Sequence, residues 1–193
     1  MIRVEVWASG GGTNADKIIE HFRLSKTVDV VNLACNRRGA GAFSIAEKHG
    51  ISSTYWSHQS WNSKEILRQL EDRKIDFIVL AGFLKLVPAE VIHHYDGRIV
   101  NLHPSLLPKY GGKNMYGENV HLAVLSNQER STGITIHEAN EEFDKGKVLA
   151  QYTTSLNPAE ENLQSIKDKI QQIEHRHFPP TIEAWILSNA TAL

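Results

Sequence analysis

A single cysteine, Cys35, occurs among 193 residues, so no internal disulfide can form. It sits in an apolar run, where burial as a small hydrophobe is expected. Metal-binding patterns are missing as well. Ten histidines are present, yet they include no His-Glu-x-x-His pair and no cysteine-rich set, so no metal is expected. His93, His94, His175 and His177 read as surface or packing residues. Excess charge of either sign is lacking: 21 basic residues face 22 acidic ones, a formal net of −1. That leaves no electrostatic case for nonspecific nucleic-acid binding, while a small anionic ligand stays open. No apolar run approaches the roughly 18–20 residues that cross a bilayer, and the N-terminus enters a strand pattern, not a charged leader. Internal repeats, low-complexity stretches and linkers are absent too. With 41% hydrophobic residues, the chain suits one domain over residues 1–193 with a sizeable core. The expectation is a soluble cytoplasmic protein whose partners are small molecules, neither nucleic acid nor membrane; oligomeric state is not legible.

What the chain does contain is alternation. Strand patterns at residues 3–8, 29–35, 76–81 and 98–100 alternate with helical patterns at 14–24, 42–49, 63–74 and 88–95. Ser63 suits an N-cap, and Pro88 suits a first helical turn. Such alternation predicts an α/β fold: a Rossmann-like open sheet, mostly parallel, with helices on both faces. Residues 132–138 and 147–155, joined by 139–146, predict an antiparallel hairpin added to that sheet. A last helical region starts at Pro158, with a helix over 162–173, breaks at Pro179-Pro180 and resumes over 181–187.

Chemistry concentrates in Asn101-Leu102-His103-Pro104-Ser105-Leu106-Leu107-Pro108-Lys109-Tyr110. Residues two apart on an extended segment point the same way, so the Asn101 amide and the His103 imidazole face one site. Pro104 and Pro108 constrain the exit path. Acyl transfer needs such a pair: one group steadies an oxyanion and another moves a proton. Asp144, in the loop after the strand closed by His137, would favour imidazolium at His103 if it reached across. The first turn, Ser9-Gly10-Gly11-Gly12-Thr13-Asn14, suits an anion at a helix N-terminus. It is not a dinucleotide fingerprint, since Ala15 occupies the third glycine position. Arg37-Arg38 could still accept a 2′-phosphate, so an NADP-dependent oxidoreductase is the rival reading, and a non-catalytic binding module is a third.

The ten-residue run resembles the signature of the folate-dependent formyltransferases. The similarity extends through the first turn, Leu80-Ala81-Gly82-Phe83-Leu84-Lys85, and Gly133-Ile134-Thr135-Ile136-His137 as far as Asp144. Chain length and the phosphate-type first loop point to the branch acting on glycinamide ribonucleotide in purine synthesis, with an amino-sugar formyltransferase as the alternative. The resemblance implies 10-formyltetrahydrofolate as co-substrate and no metal. It implies catalytic roles for Asn101, His103 and Asp144, with phosphate held by Gly12, Thr13 and Asn14. Gln171 and Glu174 would meet the sugar and glycinamide end. Lys64, Leu84, Lys85, Leu86 and Val87, with Asn101, would form the folate side. The N-terminal part to about residue 100 would bind phosphate, and the remainder would complete the folate and catalytic site. Lys64 and Lys85 stand where arginine is frequent in the family; lysine keeps the charge but loses the bidentate fork. The segment from Gly111 to Gly117 departs from the common Pro-Gly version, and Lys113 within it is a further candidate phosphate contact.

Overall fold

Buried on every residue, Phe77–Leu80 needs cover on both of its faces, and that requirement shapes the molecule. The computed structural model describes residues 1–190. In chain order the elements are β1 (Ile2–Ala8), α1 (Thr13–Phe22), β2 (Val28–Cys35), α2 (Ala42–His49), β3 (Ser52–Tyr55), α3 (Ser63–Asp72) and β4 (Phe77–Leu80). There follow α4 (Ala89–His94), β5 (Ile99–His103), α5 (Glu118–Ser126), β6 (Ser131–Glu138), β7 (Val148–Ser155) and α6 (Leu163–Asn189). One seven-stranded sheet runs β3-β2-β1-β4-β5-β6-β7. The first five strands are parallel, and β6 pairs antiparallel with both β5 and β7. This is the mostly parallel open sheet with an added hairpin that the patterning predicts. One apolar cluster joins α1, α2 and α6 to the sheet, and a second joins α3 and α4.

Strand order reverses between β1 and β4, which opens a crevice beyond their C-terminal ends. Ser9 ties the crevice together. Its N–H donates to the Gly82 carbonyl (3.0 Å), its Oγ accepts from Leu84 N–H (2.9 Å), and the same Oγ donates to Asn36 Oδ1 (2.7 Å).

Several expectations need correction. β3 has the sequence Ser-Ser-Thr-Tyr, with no apolar run to announce it, and pairs with β2 at the sheet edge. α5 follows the Gly111–Gly117 segment, where the patterning predicts no helix, and no side chain caps it. Asn62, not Ser63, caps α3 by accepting from Glu65 N–H at 3.0 Å. The break expected at Pro179-Pro180 does not occur: α6 continues through both. An interior proline costs about 3 kcal/mol. Burial of Phe178, Ile182, Trp185 and Ile186 returns roughly 1.5–3 kcal/mol for each side chain and outweighs it. Thr181 Oγ1 also donates to the His177 carbonyl (2.8 Å), and the Tyr152 ring stacks on His177 at 3.9 Å.

On the α3 side, Trp7 is fully buried against Trp56, Trp61 and Phe83, with ring centroids 5.9, 5.7 and 5.2 Å away. Beneath it Glu5 has no solvent exposure. Burial pushes its carboxyl up, and hydrogen bonds from Arg73 (2.8 Å) and the Trp7 indole (2.8 Å) oppose that rise.

Candidate active site

The register of β5 on β6 sets Asn101 opposite His137 and His103 opposite Thr135. Asn101 Nδ2 lies 3.0 Å from His137 Nε2. The other ring nitrogen, Nδ1, donates to the Glu138 carbonyl at 2.9 Å, which leaves Nε2 as the acceptor for the amide. One Asn101 amide hydrogen is thereby used, and the second remains for a ligand. His103 is buried, with Nε2 2.7 Å from the Tyr110 carbonyl and Nδ1 3.3 Å from Asp144 Oδ1. Both partners are pure acceptors, so the ring satisfies them together only as imidazolium. Asp144 also lies 3.7 Å from His137 Nε2 and accepts from Gly112 N–H at 2.9 Å. Burial raises its carboxyl, but the neighbouring His103 and the hydrogen bond from Gly112 N–H hold it well below the usual carboxylate range.

Two supports keep this set in place. Thr135 Oγ1 donates to the Ser105 carbonyl (2.6 Å) and accepts from Leu107 N–H (3.0 Å), which pins the proline-flanked run to β6. At the far side Gly146 returns the loop to β6 so closely that a Cβ there would lie 1.6 Å from the Glu138 carbonyl oxygen. Asp144, two residues earlier, takes a left-handed conformation with φ 57°.

Two recesses meet at these residues. The larger, about 520 Å³, is lined by Ser9, Gly10, Asn14, Arg37, His103, Lys113, His121 and Glu174, among others. The smaller, about 50 Å³, is lined by Phe83, Lys85, Leu86, Val87, Ile92 and His137, among others. Asn101 and Asp144 line both.

Not every residue singled out in the sequence reaches a recess. Asn14 and Glu174 do, joined by Asn14 Nδ2 donating to Glu174 Oε2 at 2.9 Å. Burial pushes the Glu174 carboxyl up to about 7, opposed only by that bond. Gly12 and Thr13 do not line the recess. Gly12 has φ 78°, and a Cβ there would meet Ala42 Cα at 2.9 Å, so its glycine lets the first loop pack on α2. Gln171 is exposed and reaches Thr13 Oγ1 at 3.4 Å. Leu84 lines the larger recess, not the smaller one. Lys64 sits exposed on the first turn of α3, lining neither. His121 went unread. It is buried in α5 and borders the larger recess, and its Nδ1 is sealed without a hydrogen-bond partner. One histidine among Val120, Leu122 and Val124 offers no spacing to read.

Residues 2–182 match the family described as formyl transferase. The chain belongs to that family. A formyl transferase assignment displaces the oxidoreductase and the binding-module readings. This formyl transferase is 35% identical over 189 residues to a chloroplastic phosphoribosylglycinamide formyltransferase of Arabidopsis thaliana, spanning 94% of the chain and 64% of the relative. It is 34% identical to a Drosophila melanogaster trifunctional purine biosynthetic protein, over 99% of the chain and 14% of that protein. The chain thus spans under two thirds of the length of these curated relatives. A crystal structure of phosphoribosylglycinamide formyltransferase from Bacillus halodurans superposes with TM-score 0.85 at 34% identity, covering 95% of both chains. Glycinamide ribonucleotide transformylase 1 from Geobacillus kaustophilus gives TM-score 0.84 at 33% identity, covering 94% and 96%. Among the described residues of the formyl transferase, no helix is long and apolar enough to cross a membrane.

Proposed function

We propose that the chain transfers the formyl group of 10-formyltetrahydrofolate to the amine of glycinamide ribonucleotide, as a step of purine synthesis. One observation carries the reading: two recesses of different character share Asn101 and Asp144, where an acceptor and a donor could meet. The larger recess offers Gly10, Asn14, Arg37 and Lys113 to an anion and Glu174 to the amine or ribose. The smaller one offers the apolar walls of Leu86, Val87 and Ile92 to a flat ring.

Amine attack on the formyl carbon builds negative charge on oxygen and positive charge on nitrogen. Asn101 gives the oxygen its free amide hydrogen. His103 donates a hydrogen bond to the same oxygen. As the tetrahedral intermediate collapses, the bond between the formyl carbon and folate N10 breaks, and N10 takes up the proton shed by the attacking amine and leaves as tetrahydrofolate. Asp144 stays ionised at neutral pH, balances the imidazolium and lies within reach of the proton leaving the amine. His137 fixes the Asn101 amide from behind.

Steady-state assay with both substrates, with the formylated product identified by mass, tests the reading. His103→Ala should lower kcat by about 10²–10⁴-fold with little change in either KM. A near-normal kcat would remove His103 from the chemistry. Formylation of an amino sugar in place of the ribonucleotide would change the acceptor.

A further inference from the structure

Where the family resemblance leads one to expect arginine, this chain has Lys64 and Lys85, so the carboxylate end of the folate loses a planar bidentate fork. Trp61 compensates at one of them. Lys85 Nζ stands 4.6 Å from the centroid of the Trp61 ring. Lys85 lines the smaller recess, and Lys64 sits in the first turn of α3, three residues after Trp61. Among the described residues neither lysine makes an ion pair with a carboxylate, so both ammonium groups are available to an incoming anion. The indole itself is anchored. It packs on Trp7 (5.7 Å), Trp56 (6.3 Å) and Phe83 (5.3 Å, tilted), and Phe83 is a wall of the same recess.

We propose that Trp61 is a positioning residue for the folate tail, holding the Lys85 ammonium over its ring so that it meets a glutamate carboxylate. The inference rests on the formyl-folate reading above. A free lysine must freeze a four-carbon stem when it binds an anion, and that lost freedom weakens the contact. An ammonium already placed over the electron-rich face of an indole has surrendered much of that freedom beforehand, and its remaining N–H groups point away from the ring. The arrangement supplies by preorganisation part of what an arginine supplies by shape. The rigidity of the platform is the second requirement. Trp61 meets it because three other aromatic rings surround it, two of them, Trp7 and Trp56, fully buried.

The test compares two formyl donors, 10-formyltetrahydrofolate and its pteroate analogue lacking the glutamate. Wild type should prefer the glutamate-bearing donor in kcat/KM. Trp61→Leu, which keeps apolar packing but loses the π face, should reduce that preference about tenfold, through KM and not kcat. Trp61→Phe should restore most of it. An equal loss for both donors, or an undiminished preference, overturns the role of Trp61. Should Trp61→Leu fail to fold, Lys85→Met carries the test, because it must erase the part of the preference that Trp61→Phe retains. A wild type that uses neither donor sinks the formyl-folate reading and this inference together. A wild type that uses both without preference sinks this inference alone.

Discussion

His121 and Glu174 face the same recess with opposite responses to acid. Burial, reinforced by Lys167, pushes the His121 imidazole down to about 4. A base with a depressed folded value contributes stability that is complete above about 6.5 and is lost as pH falls toward about 4. Glu174 is raised to about 7, so its contribution is complete below about 4.5 and is lost as pH climbs through about 7. His121→Phe should therefore flatten the fall of Tm between pH 6.5 and 4, and Glu174→Gln should flatten the limb between pH 4.5 and 7. Thermal melts across pH for both variants check the two signs, and a variant with the wild-type slope in its window would reject the cause given for it. At this scale the sequence was legible where spacing carries geometry. Asn101 and His103 are two apart on one strand, and they do share a site. Asp144 reaches His103 through a left-handed residue at a loop that no spacing rule anticipates. The pattern marks His137 only as the end of a strand, and the β5–β6 register reveals that it holds Asn101.

Elements were legible in proportion to how local their causes are. β1, β2, β4 and the β6–β7 hairpin advertise themselves as apolar or alternating runs. β3 does not, because an edge strand of Ser-Ser-Thr-Tyr owes its conformation to a neighbour. α6 reverses the problem: local chemistry argues for a break that tertiary burial overrides. Pro179 is buried and contributes packing, whereas Pro180 is exposed and contributes none. Pro180→Ala restores an N–H toward the Arg176 carbonyl and relieves the ring clash, a gain of about 3 kcal/mol at most. The freer unfolded chain takes back roughly 0.4–1 kcal/mol. The variant should be more stable by about 2 kcal/mol in urea unfolding. A lower midpoint would mean that Pro180 fits α6 without strain.

For the whole molecule, a mostly parallel sheet carrying an antiparallel pair at one end was legible from the order of patterns alone, because connection lengths and burial leave few alternatives. Closure of the recesses was not, since it depends on contacts between distant parts of the chain. Asn101 and His137 are 36 residues apart, and Asn14 and Glu174 are 160 apart. Such separations must be bridged before the contacts reward them, and parallel pairing is slow for the same reason. On dilution from denaturant, far-UV ellipticity should recover ahead of formyl transfer, with activity returning in the slowest phase. Activity that keeps pace with ellipticity would show that the polar set assembles early.

The bond between Asn14 and Glu174 also has a meaning during synthesis. A chain still on the ribosome holds its most recent residues in the exit tunnel, so α1 must wait for α6 to emerge before one wall of the larger recess exists. Two helices far apart in the order of synthesis, α1 through Asn14 and α6 through Glu174, contribute to one binding surface. An incomplete chain with its sheet already formed would therefore be unable to grip the acceptor. Competence of this kind begins when α6 docks on α1, not with folding of the sheet.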